Sequence, residues 1–102
     1  MTYLIICDPN GSHSLALLTK GVEPDKITVW EDDTSHIAQV LAMNTNINIC
    51  TDLDDLTGMR FDVVIGNPPY GNGGNQAIRF LNKCVELSDD IRFILPLSVR
   101  KT

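Results

Sequence analysis

Basic residues are scarce in this chain, and two kinds of segment are missing from it. Lysine and arginine number 8 against 13 aspartates and glutamates in 102 residues, and the formal net charge is −5. That charge has the wrong sign for a chain that must bind a phosphate backbone unaided. No apolar run approaches the ~20 residues that a membrane helix needs, and the N-terminal segment lacks the basic residues of a secretory signal. The sequence therefore predicts neither a membrane protein nor a secreted one.

Cysteine is also sparse. The 3 cysteines, Cys7, Cys50 and Cys84, are odd in number and widely separated, so neither a disulfide framework nor a zinc site is indicated. A cytoplasmic location fits such a chain best. The composition, with 43% hydrophobic and 21% charged residues, is that of a globular protein. At this length we expect residues 1–102 to form one small domain.

Short apolar runs alternate with helical or loop segments along the chain, and this alternation predicts a parallel α/β sheet. The runs are nearly continuous in their apolar character, as expected for strands that helices cover on both faces. Strands are predicted at residues 3–7, 27–30, 47–50, 61–65 and 91–95.

Helices are predicted between these strands, with their apolar residues turned toward the sheet. Gly21 is expected to stop the first helix, and Asp33 or Thr34 to cap the second. Residues 52–60 leave room only for a short connection without a full helix. The predicted helices span residues 12–20, 34–43 and 75–87. The residues expected to face the sheet are Leu15, Leu18 and Ala16 in the first helix, Ile37, Val40 and Leu41 in the second, and Ile78, Leu81 and Val85 in the third.

The most informative segment is the junction at which the fourth run meets Asn67-Pro68-Pro69-Tyr70-Gly71. The Asn67 side-chain oxygen and the Pro68 carbonyl can serve as two fixed acceptors for the N–H groups of a planar amine. Proline fixes that geometry, because it restricts the preceding residue to extended backbone and removes competing N–H groups. Tyr70 offers a ring face on which a flipped-out base can stack. The junction therefore indicates methyl transfer to an amino group that is a poor nucleophile.

A double proline after a strand is also an ordinary strand terminator. The residues Asn67, Pro68, Pro69 and Tyr70 nevertheless resemble the catalytic motif of the S-adenosylmethionine-dependent amino-methyltransferases, above all the adenine-specific (N6) DNA methyltransferases of restriction-modification systems. The resemblance implies a class I methyltransferase core, which is a Rossmann-like, three-layer α/β fold with a doubly wound, mostly parallel sheet of strand order 3-2-1-4-5. It also implies S-adenosyl-L-methionine as cofactor and DNA as the substrate of the complete enzyme.

Acidic residues follow the first three predicted strands, at the edge of a parallel sheet where ligands bind. By the resemblance, Glu31 accepts hydrogen bonds from the cofactor ribose, and Asp32 lies beside it. Asp52, followed by Leu53, resembles the position that contacts the cofactor adenine. A helix cap or a solvated loop carboxylate is the alternative for each acid. We interpret Trp30 as a core residue or a pocket wall.

The first loop departs from the family pattern. Asp8 and Gly11 stand where the family has an Asp-Pro and a glycine-rich cofactor loop, but only one glycine remains and His13 occupies the place of another. The resemblance assigns cofactor binding to Asp8 and Gly11, and to Asn67 as well. We interpret His13 and His36 as surface or capping residues.

The sequence leaves three functions open. The first is methylation of the exocyclic amino group of adenine in DNA; the second is methylation of a glutamine amide in a protein or of a guanine amino group in ribosomal RNA. The third is a non-catalytic remnant that acts as a binding or assembly module. The chain lacks a target-recognition region and the last strands of the family fold, so we expect a partial catalytic domain. We also expect a homodimer through an exposed sheet edge, or cover from a missing C-terminal region.

Overall fold

The computed structural model describes residues 1–8, 11–66 and 75–93. Within them, parallel strands form one sheet in the order β3-β2-β1-β4-β5. This confirms the predicted doubly wound α/β fold with strand order 3-2-1-4-5. The strands are β1 Tyr3–Ile6, β2 Ile27–Trp30, β3 Asn48–Cys50, β4 Val63–Gly66 and β5 Ile91–Phe93.

The helices of the described residues lie where the periodicity predicts them. Gly21 has a φ of 90°, the left-handed conformation that ends the first helix just after its last residue. Asp33 caps the second helix, because its carboxylate accepts hydrogen bonds from the backbone N–H groups of Ser35 and His36. The predicted connection at 52–60 contains only a short 3₁₀ turn, Leu53–Leu56. The helices are α1 Ser12–Thr19, α2 Thr34–Met43 and α3 Asn75–Leu87.

The central strand β1 supplies both hydrophobic cores. Its residues Leu4, Ile5 and Ile6 are all 0% exposed, since helices cover the sheet on both faces. Successive side chains of a strand point to opposite faces. Leu4 and Ile6 accordingly pack in the cluster on the α3 side, whereas Ile5 packs with Leu17 of α1 and Val40 of α2. The predicted three-layer arrangement follows from this division.

The orientation predicted for α3 is wrong. Ile78, Leu81 and Val85 are all exposed, with Val85 at 56%, while the buried side chains come from the opposite side of the helix. Those buried residues are Phe80, Cys84 and Leu87. Both triplets repeat at helical spacing, so periodicity alone cannot choose between them. The set that contains Phe80 faces the sheet, where its ring packs against Trp30.

A smaller correction applies to α1. Leu15 is 55% exposed and Ala16 is also exposed, so neither faces the sheet as predicted. Leu17, which the prediction omitted, is buried at 6% exposure, and Leu18 is half-buried against the same cluster. In α2, Val40 is buried as predicted, whereas Ile37 and Leu41 are only half-buried.

Gly66 allows the tips of β4 and β1 to pair closely. A Cβ atom at this position would lie 2.7 Å from both the Cβ atom and the carbonyl oxygen of Ile6, its register partner. No side chain fits there without moving the backbone of the central strand. The residue that immediately precedes the Asn67 motif is therefore fixed as glycine by packing.

The strands at the two edges of this sheet are β3 and β5. The positions of these edge strands do not show whether a second chain pairs with them, so the expected homodimer stays a prediction. In the stretches 1–8, 11–66 and 75–93, no helix combines the length and the apolar character needed to cross a membrane.

Candidate active site

The carboxyl ends of β1, β2 and β3 meet at one edge of the sheet and open into a cleft of ≈ 650 Å³. Parallel strands bring the residues that follow them to the same edge, which is where open α/β sheets bind ligands. The cleft brings together Glu31, Asp32, Asp52 and Leu53 of the predicted cofactor site. The opposite wall comes from α3.

Glu31 is a buried carboxylate at the edge of the cleft. Its side chain is almost fully buried, and the residue as a whole is 3% exposed. The Oε2 atom accepts hydrogen bonds from the backbone N–H groups of Asp32 at 3.0 Å and Asp33 at 3.2 Å. These bonds hold the carboxylate at the turn between β2 and α2. A buried acceptor held in this way is preorganised for a ligand that donates hydrogen bonds.

His36 belongs to this site, contrary to its interpretation from the sequence as a surface or capping residue. It lies in the first turn of α2, lines the cleft, and places Nδ1 3.0 Å from Oε1 of Glu31. Its Nε2 lies 4.0 Å from Oδ2 of Asp33. The sequence carried no signal for this contact, which arises because the first turn of α2 begins close to the end of β2.

Asp8 is placed differently from the other acids. It is 0% exposed and is not among the residues that line the cleft. Its oxygens accept hydrogen bonds from the backbone N–H groups of His13 and Ser14, each at 3.0 Å, and from the Ser14 hydroxyl at 2.7 Å. Asp8 thus satisfies the free N–H groups at the start of α1, the role of a helix cap. Direct contact with a cofactor stays a prediction.

Gly11 lies at the N-terminus of α1 with a φ of 69°, a conformation that favours glycine. A Cβ atom there would overlap the terminal methyl of Met43 in α2. Because that methyl is the far end of a flexible side chain and can move aside, the positive φ is the reason for glycine at this position. Gly11 does not line the cleft, and its predicted contact with the cofactor is also untested.

Cys7 connects β1 to this loop and lines the cleft. It adopts a φ of 63°, and it is the one non-glycine residue with positive φ among the described ranges. Burial raises the pKa of the Cys7 thiol to about 12, and the carboxylates of Glu31 and Asp32 add to the effect. The thiol is therefore neutral at physiological pH, which argues against a nucleophilic role.

Trp30 and Phe80 form an aromatic pair beside the acidic wall. Their ring centroids are 4.5 Å apart with an interplanar angle of 69°, an edge-to-face arrangement. Both rings belong to the buried cluster on the α3 side and both line the cleft, so Trp30 is core and pocket wall at once. Its indole Nε1 is buried and has no hydrogen-bond partner among the residues that the structure describes. Such an N–H group is a donor still available to a ligand or to a rearranged side chain.

Asp52 and Leu53 form the far end of the acidic wall. Asp52 caps the 3₁₀ turn, since its Oδ1 accepts a hydrogen bond from the Asp54 N–H at 2.9 Å. Leu53 is half-buried against the core and also lines the cleft. The Asp52 carboxylate can accept hydrogen bonds from the edge of a planar ring, and the Leu53 side chain can pack against its face.

Two cations of α3 face the acidic wall. Arg79 and Lys83 both line the cleft. Lys83 donates a hydrogen bond to the Thr57 hydroxyl at 2.7 Å and lies 3.6 Å from a carboxylate oxygen of Glu86. The cleft therefore carries carboxylates on one side and cations on the other, a distribution that suits a ligand bearing both charges.

The motif Asn67-Pro68-Pro69-Tyr70 lies outside the described residues, and so does Gly71. The chain reaches it from Gly66, the last residue of β4, which pairs with the tip of β1. The catalytic roles of these residues therefore stay predictions that rest on the sequence alone.

A model of the Eco57I restriction-modification methylase family matches residues 12–96. The chain belongs to this family. The match covers most of the sequence and includes the Asn67 motif, β2 with Glu31, and all of α3. It confirms that the chain is a relative of S-adenosylmethionine-dependent methyltransferases of the restriction-modification type.

Comparison with solved structures supports the fold of this Eco57I-type chain. It is similar to the crystal structure of a “putative RNA methyltransferase” from Pyrococcus horikoshii, with a TM-score of 0.65 and 19% sequence identity. The similarity covers 97% of this chain and 54% of the other, so the chain spans about half the length of that protein. No curated protein sequence matches the chain.

Proposed function

We propose that this chain is the cofactor-binding and catalytic part of a methyltransferase that uses S-adenosylmethionine to methylate the exocyclic amino group of adenine in DNA. The observation that carries the proposal is the buried Glu31 carboxylate at the tip of β2, inside a cleft of a chain that belongs to a restriction-modification methylase family. Hydrogen bonds from the Asp32 and Asp33 N–H groups and the contact with the His36 ring offset the cost of burying this carboxylate and hold it at the cleft.

The residues of the cleft fit the cofactor. The cleft volume lies within the range of about 300–1,000 Å³ that is typical of small-molecule sites. Glu31 would accept the ribose hydroxyls, and Asp52 with Leu53 would hold the edge and face of the adenine ring. Trp30 supplies an indole N–H that has no partner in the described part of the chain. This set of groups suits a nucleoside with a diol.

The reaction needs few groups from the protein. S-adenosylmethionine supplies an electrophilic methyl group on sulfur. By the family resemblance, the Asn67 side-chain oxygen and the Pro68 carbonyl accept hydrogen bonds from the target NH₂, and Pro69 keeps the following backbone rigid. These bonds draw the nitrogen lone pair out of conjugation with the ring. Tyr70 would stack on the base after it leaves the duplex.

Membership of a restriction-modification family supports DNA over other acceptors. The net charge of −5 means that phosphate contacts must come from outside this chain, as in a complete enzyme with a separate recognition region. Methylation of a guanine amino group in RNA is the second candidate, since the structural relative is described as an RNA methyltransferase. A glutamine amide has the same planar chemistry. A non-catalytic remnant would retain the fold and lack transfer to any of these acceptors.

Calorimetric titration with S-adenosylmethionine tests the cofactor site. We expect micromolar binding by the wild-type chain and a loss of about 10- to 100-fold in Glu31→Gln, because a charged acceptor is replaced by a weaker one. Glu23→Gln is the matched control, since Glu23 is an exposed acid at the other end of β2. Absence of heat at millimolar ligand from the wild-type chain would overturn the cofactor assignment and favour the remnant.

Transfer of a radiolabelled methyl group tests the acceptor. Adenine-containing duplex DNA, ribosomal RNA and a glutamine-containing protein substrate would be offered in parallel. The proposal predicts label in DNA at the N6 position of adenine, and no transfer by Asn67→Ala. Label in RNA or protein would replace the DNA assignment. Cofactor binding without transfer to any acceptor would indicate an inactive module.

A further inference from the structure

We propose that His36 competes with the cofactor for Glu31, so that cofactor affinity depends on the protonation of one imidazole. The inference rests on the proposed function, because the ligand concerned is a nucleoside with a ribose diol. It concerns a residue outside the predicted site. His36 lines the cleft and its side chain is 33% exposed, so it can move without disturbing the core.

The competition follows from a count of acceptor positions on Glu31. An ionised carboxylate offers about four lone-pair positions, two on each oxygen. The N–H groups of Asp32 and Asp33 occupy both positions on Oε2. The His36 ring lies 3.0 Å from Oε1 through Nδ1, and this nitrogen must carry the proton because a carboxylate cannot donate. One position is left, whereas a diol that binds with both hydroxyls needs two.

The consequence is that His36 must turn away before Glu31 can hold both hydroxyls. The energy needed for this depends on the charge of the ring. A hydrogen bond between an imidazolium and a carboxylate is stronger than one from a neutral ring. Asp33, 4.0 Å from Nε2, holds the protonated ring more firmly still. Neutral His36 is therefore the easier form to displace.

The other charged groups of the cleft do not replace His36 in this role. Acidic side chains at Asp32, Asp52 and Asp54 share the cleft and favour the charged ring, while Arg79 and Lys83 of α3 oppose it from the far wall. None of these side chains forms a hydrogen bond to the Glu31 carboxylate in the described structure. The Cys7 thiol is uncharged, since burial raises its pKa to about 12. In the described part of the chain, His36 is the one ionisable side chain in direct contact with the Glu31 carboxylate.

The test is calorimetric binding of S-adenosylmethionine at about pH 6 and about pH 8, the range over which an imidazole changes charge. In the wild-type chain we expect affinity to fall about three- to tenfold at the lower pH. His36→Ala should remove most of that fall and bind more tightly than wild type at the lower pH. His36→Gln should also lose the pH dependence, because its amide can still donate to Glu31 but does not titrate.

His13→Asn is the matched control, because His13 is the other histidine of the chain and does not line the cleft. It should retain the wild-type pH dependence. The ligand's own amino group also titrates, but it changes the measured affinity of all four proteins equally and therefore does not affect the comparison between them. Repeating the titrations at the lower pH in buffers of different ionisation enthalpy should show proton release on binding in the wild type, and less release in His36→Ala.

The outcomes separate this inference from the proposed function. Binding with the same pH dependence in wild type and His36→Ala would overturn the competition and leave the cofactor site intact. Loss of binding in His36→Ala at both pH values, with an unchanged thermal unfolding curve, would make His36 a ligand contact and also overturn it. Absence of heat from every protein at both pH values would overturn the proposed function itself.

Discussion

The indole ring of Trp30 meets the phenyl ring of Phe80 edge to face, with centroids 4.5 Å apart. This contact joins the end of β2, which leads into Glu31, to the helix that follows the Asn67 motif. It is the point at which the acidic wall of the cleft and the helix that follows the Asn67 motif share one core. The contact also explains why α3 turns Phe80 inward and leaves Val85 exposed.

Substitution of Phe80 by leucine should lower the free energy of unfolding by about 1–2 kcal/mol, because the edge-to-face contact and some buried area are lost. Trp30 is the only tryptophan, so its fluorescence emission should shift in the folded variant. Phe61→Leu is the control: Phe61 is buried in the same cluster and should leave the emission unchanged. Urea unfolding followed by fluorescence measures both effects. Unchanged emission in Phe80→Leu would contradict the contact.

Ser14→Ala tests the assignment of Asp8 as a helix cap. Ser14 is fully buried, and its hydroxyl donates to the Asp8 carboxylate at 2.7 Å. Loss of this bond should cost about 1.5–3 kcal/mol, the usual contribution of a hydrogen bond to a charged group. Ser12→Ala, at an exposed position of the same helix, should change stability by less than about 0.5 kcal/mol. Equal unfolding midpoints for the two variants would argue against the buried cap.

The corrected orientation of α3 predicts opposite effects on its two sides. Leu87→Ala should cost about 2–5 kcal/mol, since Leu87 is 1% exposed. Val85→Gln should change the free energy of unfolding by less than about 0.5 kcal/mol, because Val85 is 56% exposed. Chemical denaturation of both variants measures the difference. A large loss in Val85→Gln would restore the orientation that the sequence predicted, or show that a second chain covers this side.

Acidification should weaken the start of α2 through Asp33. The hydrogen bond from the Ser35 hydroxyl, and then the one from its N–H group, lower the pKa of Asp33 below the ordinary value of 3.8. The stabilisation is therefore complete above about pH 4 and is lost as the pH falls through the lower folded-state pKa. Asp33→Asn should lose less stability than wild type between about pH 6 and pH 3, measured by urea unfolding. Ser35→Ala should reduce the acid sensitivity in the same direction, and a wild-type response in both variants would count against the cap.

The positions of the helices and strands could be predicted because local patterns determine them. Continuous apolar runs identify strands that are covered on both faces, and a capping residue such as Asp33 or a glycine such as Gly21 marks a helix end. The strand order came from the resemblance at the Asn67 motif, and the parallel pairing of β1 with β2 and β4 confirms it. The acids after β2 and β3 reached the cleft for the same topological reason.

The orientation of α3 and the role of His36 could not be predicted. Helical periodicity offers two apolar sides in α3, and only the packing of Phe80 on Trp30 selects one of them. His36 stands five residues after Glu31 and has no sequence partner that suggests chemistry. Its contact with Oε1 depends on where the first turn of α2 begins relative to the end of β2. The hydrogen bonds from the N–H groups at the start of α1 to Asp8 could not be predicted either, because they depend on how the first loop folds.

The sequence by itself determined the family, the sheet and the set of acidic residues at its carboxyl edge. These depend on residue type and spacing along the chain, which local sterics and hydrophobic burial convert directly into strands and turns. Only the tertiary structure decided which acid is a cap, which is an open acceptor, and which histidine shares it. Those distinctions are differences of a few ångströms between groups from separate elements, and they are fixed by how the elements pack against one another.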